Sequence, residues 1–168
     1  MSTPIITVAV QVEVTGWTSP ANGSGPYTAV ATLVAADNST NVTVSNNVIK
    51  ISAPNGSPVQ INLNPWTNIA GLTFTLGAPY KEVVPTGDSA AEYSIVLLDR
   101  YGKLTANSAT TWSYNGITYT ISAIPTNGVA VIDLNNGGGE YSYNLTLLDS
   151  KGHWGILDPD VENDPTET

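Results

Sequence analysis

The segment 155–165, GILDPDVENDP, contains two aspartyl-prolyl bonds, Asp158-Pro159 and Asp164-Pro165. Such bonds can break from within. The aspartate carboxylate attacks its own carbonyl carbon, a five-membered anhydride forms, and the proline nitrogen leaves once it has taken a proton. A fold that orients the carboxyl and protonates the leaving nitrogen speeds the step. Water can open the anhydride, or a lysine amine can capture it as an isopeptide. The amines on offer are Lys50, Lys81, Lys103 and Lys151. Lys151 precedes Asp158 by about 23 Å of extended strand, too far to reach. The candidate catalytic pair is therefore Asp158 and Pro159, with no lysine assigned. Asp164-Pro165 serves as a comparator, expected in a mobile tail where nothing orients its carboxyl.

Other chemistries have weaker support. The acids Asp158, Asp160, Glu162 and Asp164 alternate, but Asn163 stands where a calcium loop of the EF-hand type needs glycine. No metal site is expected, and no cofactor. His153 is the single histidine. Strand arithmetic puts it about 16 Å from Asp158 and on the opposite face, so it reads as a surface residue beside a turn and not as a general base. The chain has no cysteine, which excludes disulfides, thiol catalysis and thiolate-bound zinc.

The elements that must position these residues are strands. In IITVAVQVEV, Ile6, Val8, Val10, Val12 and Val14 share one face. VQINL (59–63) and LTFTL (72–76) alternate in the same way, and 27–35 and 41–52 are irregular strands. In TTWSYNGITYTISAI, Asn115-Gly116 suits a type I′ turn pairing Tyr114 with Ile117 and Trp112 with Tyr119. Sequences 92–103 and 140–153 echo each other, each a strand ending in Leu-Leu-Asp followed by a glycine- and lysine-bearing turn. Roughly ten short strands with glycine, proline and asparagine between them predict an all-β chain. We expect a single antiparallel β-sandwich, immunoglobulin-like in character, over 1–157, followed by an acidic C-terminal tail, 158–168.

At the chain end, a two-residue turn at Ser150-Lys151 would pair Trp154 with Leu147, Ile156 with Leu145 and Asp158 with Tyr143. Opposed residues share a face. This register buries Trp154 and Ile156 and puts Asp158 on the core face, where desolvation raises a carboxyl pKa.

The ending YSYNLTLLDSKGHWGILDPDVEN, on a chain that opens with a valine-rich strand, resembles the bacterial DP-EP family. The resemblance implies a small β-sandwich, bacterial in type, self-cleaved at an Asp-Pro bond near its C-terminus, with lysine capture of the aspartate. It carries over to Asp158 and Pro159. If the chain is an enzyme at all, it is expected to be autoproteolytic and nothing more.

Only five residues are cationic against fourteen acidic, a net charge of −9. Nucleic acid is thus an unexpected partner, and so is an anionic membrane. No apolar run reaches the roughly 20 residues of a membrane span. The N-terminal segment reads as a strand and not a signal peptide, so the expected location is the cytoplasm or export without such a peptide. Trp66 and Trp17 are the loop tryptophans able to stack on a ligand such as a sugar. First among the functional classes is a non-enzymatic binding or assembly module with a protein partner or a second copy of the chain. Self-processing and carbohydrate binding follow. The first strand, interrupted only by Glu13, would be an adhesive edge if it lay at a sheet border.

Overall fold

The computed structural model describes residues 3–18, 27–77, 95–99, 110–114, 116–135, 137–142, 145–157 and 160–164. They form fifteen strands and no helix. In chain order these are β1 (Thr3–Pro4), β2 (Ile6–Thr18), β3 (Tyr27–Ala35), β4 (Val42–Ser45), β5 (Val48–Ile51), β6 (Val59–Thr67), β7 (Phe74–Gly77) and β8 (Ile95–Asp99). After them come β9 (Thr111–Tyr114), β10 (Ile117–Thr120), β11 (Val129–Asp133), β12 (Gly139–Ser142), β13 (Leu145–Asp149), β14 (Trp154–Leu157) and β15 (Asp160–Asn163).

The all-β sandwich expected from the periodicity is present, built from three sheets. The largest has the order β7-β13-β14-β3-β2-β6-β11-β8, the second β12-β15-β5-β4 and the smallest β1-β10-β9. The sheets are mixed and not purely antiparallel: β2 runs parallel to β6, β14 to β3, β15 to β5 and β1 to β10. Hairpins joined by tight turns must be antiparallel, whereas partners far apart in sequence are free of that constraint. The first long strand is not an edge. β2 lies between β3 and β6, so its backbone is paired on both sides and offers no border for another chain.

The core lies between one face of the large sheet and the four-stranded sheet. Val8, Val10, Val12 and Val14 of β2 meet Ile49 and Ile51 of β5 and Val161 of β15 in one buried cluster. Each such side chain contributes about 1.5–3 kcal/mol when fully buried. A second cluster, Trp112, Tyr119, Ile121, Ala130, Ile132 and Leu134, packs the smallest sheet against the other face of β11. All five residues of β11 are therefore buried, as its run VAVID suits a strand covered on both faces.

The β9–β10 hairpin has the register read from the sequence, Tyr114 with Ile117 and Trp112 with Tyr119. Gly116 has a φ of 76°, as a type I′ turn requires, while Asn115 lies outside the described residues. The Trp112 and Tyr119 rings stack at 5.3 Å. Ile117, at the hairpin tip, is exposed.

The large sheet rolls onto itself. β7 is one border, yet the Leu76 N–H donates to the carbonyl of Asn127 (2.8 Å), in the turn that leads into β11 near the other border. Gly128, next in that turn, lets the chain enter β11 close against β6: a Cβ there would collide with the Leu63 carbonyl oxygen. Gly128→Ala should therefore cost about 2–4 kcal/mol. Gly16→Ala, with no atom near the added carbon, should stay within about 0.5 kcal/mol. Urea unfolding of the two variants against the parent measures both.

Candidate functional site

The turn before the last hairpin is one residue longer than the sequence suggested. Gly152 N–H donates to Asp149 O (3.2 Å) and Asp149 N–H to His153 O (2.9 Å), with Gly152 at φ 88°. This is a three-residue loop with glycine in the left-handed position. Pairing moves accordingly, to Leu148 with Trp154, Leu147 with Gly155 and Leu145 with Leu157. A slip of one residue turns every side chain to the other face. Trp154, expected in the core, is 40% exposed and stands opposite the exposed Leu148. Ile156 pairs with Thr146, not Leu145. The register that assigned Asp158 to the core face is thus not the one adopted. Asp158 and Pro159 themselves lie outside the described residues.

Asp149 holds this loop. Its carboxylate is buried and accepts the backbone N–H of Lys151 and of His153, both at 2.9 Å, through Oδ1. Oδ2 lies 2.9 Å from His153 Nδ1, which donates because an ionised carboxylate only accepts. Burial pushes the Asp149 carboxyl up; the hydrogen bonds from the His153 ring and from the two backbone groups outweigh it and hold the carboxyl below its usual value. The imidazole is exposed, as expected of a residue beside a turn. Its carboxylate partner was missed, although an aspartate four residues before a histidine, across a glycine turn, is a readable sign.

Trp17 and Trp66 are not brought together. The β2–β3 ladder shifts between Val14 and Gly16, and this bulge turns Trp17 to the core side. There it meets Phe74 edge-on at 6.0 Å and lies 6.4 Å from the His153 ring. Trp66 stands on the outer face, opposite Glu13, and is 41% exposed. Among the described residues, that outer face is covered at one end. The Gln60 amide donates to Ser122 O and accepts from Ser122 N–H, and Thr7 Oγ1 meets Ser122 Oγ. Beyond this seam Gln11, Glu13, Thr32, Asn64 and Trp66 all reach solvent in some degree.

The acidic segment is a strand where it is described. β15 pairs with β12 on one side and β5 on the other, and Val161 is fully buried. Asp164, expected in a mobile tail, donates its N–H to Ile51 O (2.9 Å). Its carboxylate lies 3.0 Å from Lys50 Nζ, with Glu162 at 3.8 Å. The hydrogen bond and charge of Asp164, joined by the charge of Glu162, raise the Lys50 ammonium above its usual value. Lys81 and Lys103 lie outside the described residues. Among the described residues no group of three His, Asp or Glu side chains is placed to hold a metal ion. None of their elements is a helix long and apolar enough to cross a membrane.

No protein-family model and no curated protein matches the chain. Among solved structures it is similar to the ASH/PapD-like domain of human CEP192 (PapD-like domain 7). The two are 14% identical, over 85% of this chain and 99% of that one, at a TM-score of 0.28. At that score the likeness carries no argument.

Asp149 gives a pH dependence. Its carboxyl is held below the usual 3.8, so its contribution is complete above that value and is lost as pH falls through the lower folded-state value. Asp149→Asn should lower stability at neutral pH by about 1–3 kcal/mol. The gap to the parent should then narrow below pH ~4. Thermal unfolding of both proteins from neutral to strongly acid buffer tests the sign.

Proposed function

We propose that the chain is a non-enzymatic β-sandwich binding module that docks a protein partner on the outer face of its large sheet. The observation carrying this is the placement of exposed apolar side chains. Of the five large hydrophobic residues exposed among the described ones, Trp66, Val30, Leu148 and Trp154 lie on that one face. They form two groups, Leu148 beside Trp154, and Val30 two strands from Trp66. Solvent-facing aromatic rings on a rigid sheet are the usual anchors of a protein interface. A photoreactive side chain at position 66 or 154 should cross-link a protein in extract of the source cells, and one at the exposed position 117, at the tip of the hairpin that covers the other end of that face, should not. The same adducts from all three positions would refute the assignment of the face.

A second reading is self-processing at an Asp-Pro bond, as the resemblance to the DP-EP family implies. It is supported by Lys50, whose amine lies against Asp164, the residue before Pro165. If Asp164 attacked its own carbonyl and released Pro165, Lys50 could open the anhydride and keep one acyl group as an amide. For Asp158 the same lysine is badly placed. Lys50 pairs with Glu162, and Asp158 is four residues earlier, about 13 Å along the strand.

Cleavage at Asp158-Pro159 would also not free the C-terminal piece, because that piece contains β15, an interior strand. The nicked protein should remain one species by native mass spectrometry and separate into two only in denaturant. Loss of the peptide under native conditions would show that β15 is not held as described.

A further inference from the structure

The outer face holds one pair of side chains whose chemistry is unused. Glu13 and Trp66 are direct partners on the parallel strands β2 and β6. Neighbouring strands are about 4.8 Å apart, so the carboxylate and the indole stand side by side. Both point away from the core, since Val12, Val14 and Leu63 take the inward positions. Trp66 is exposed and Glu13 half-buried. Among the described residues neither side chain makes a hydrogen bond, an ion pair or a ring contact.

An exposed indole attracts a cation over its ring, and it does so better than any other side chain. A carboxylate one strand away supplies the opposite charge. Guanidinium fits both at once: its plane stacks on the ring while its N–H edge donates to the carboxylate. The surroundings favour a positive guest. Asp37, just past the end of β3, places a second carboxylate against the Ala9 N–H of β2 (2.9 Å). Of the described lysines, Lys50 is engaged by Asp164 and Glu162, and Lys151 lies in the β13–β14 turn, so neither neutralises Glu13. The whole chain carries −9, which repels a second copy of itself and draws a basic partner.

We infer that Trp66 and Glu13 form a recognition site for an arginine side chain presented by a basic segment of the partner protein. This rests on the docking face proposed above and names the chemistry that face selects. Gln11 and Asn64 pair beside them in the same register and offer amides to the backbone of that segment.

The test is a titration of the full chain with two blocked peptides, a Gly-Arg repeat and its Gly-citrulline counterpart. Citrulline keeps the planar shape and removes the charge. The indole N–H of Trp66, assigned by its loss in Trp66→Phe, is followed by NMR. The arginine peptide should shift that signal and the citrulline peptide should not. Trp66→Ala and Glu13→Gln should each weaken the arginine peptide about tenfold. Glu162→Gln, which removes the same charge from the other sheet, should change it by less than about twofold. Equal weakening by Glu162→Gln would mean that bulk charge alone attracts the peptide, and would overturn the site. So would equal binding of the citrulline peptide. A shift of Trp66 by a neutral oligosaccharide, with the arginine peptide silent, would make it a sugar platform instead. If cross-linking from position 154 persists undiminished in Glu13→Gln while the arginine peptide fails to bind the parent chain, the docking face stands and the arginine chemistry falls.

Discussion

Side chains on a strand alternate between two faces, so one extra residue decides which of them meet water. Two such residues govern this protein. The bulge near Thr15 turns Trp17 inward, where it closes the end of the core beside Phe74. The glycine-bearing third position of the Asp149 loop turns Trp154 outward, where it joins Leu148. Without the first, the core would lose its aromatic lid; without the second, the open face would lose one of its anchors. Asp149 sits at the origin of the second choice. Its buried carboxylate gathers two backbone donors and a histidine, and so fixes the loop length that sets the register.

Amides do much of the joining between sheets in a chain with so few charges. Gln60 meets the backbone of Ser122 with both ends of its side chain, as a neighbouring strand would. Asn47 accepts from Leu33 N–H and donates to Ala31 O, tying the four-stranded sheet to the border of β3. Asn135 donates to the carbonyls of Ala53 and Pro54. An amide carries one donor group and one acceptor, so it can replace a missing strand neighbour without bringing a charge into a dry place. A composition rich in asparagine is therefore structural here.

What was legible in the sequence was local. The β9–β10 hairpin declared itself through Asn-Gly and its flanking aromatic residues, and its register held throughout. The turn at Asn46-Asn47 was equally open to reading: both residues have positive φ, 51° and 62°, and join β4 to β5. Long-range order was not legible. A valine-rich strand has the same alternation at a border or in the middle, so nothing in β2 announced two neighbours. β15 was hidden for another reason. Val161 enters the core, but its sequence neighbours are the acids Asp160 and Glu162, so a paired strand has the composition of a solvated tail. The site was half legible. Trp66 was picked out with Trp17 as a loop tryptophan, whereas both stand in strands, β6 and β2. Glu13 as its companion required knowing that β2 and β6 run parallel and in which register.

The place of β15 also orders events during synthesis. β5 is made early and pairs on one side with β4 through a short turn. Its other edge, and the edge of β12, belong to a strand that leaves the ribosome long afterwards. Throughout that interval the inner valine and isoleucine residues of the four-stranded sheet lack their last neighbour, and two strand borders stay open to strangers. The nascent chain must wait, or be guarded, until residues 160–163 arrive. Completion of the sandwich is in this sense a late stitch, with the thread supplied by the most acidic stretch of the chain.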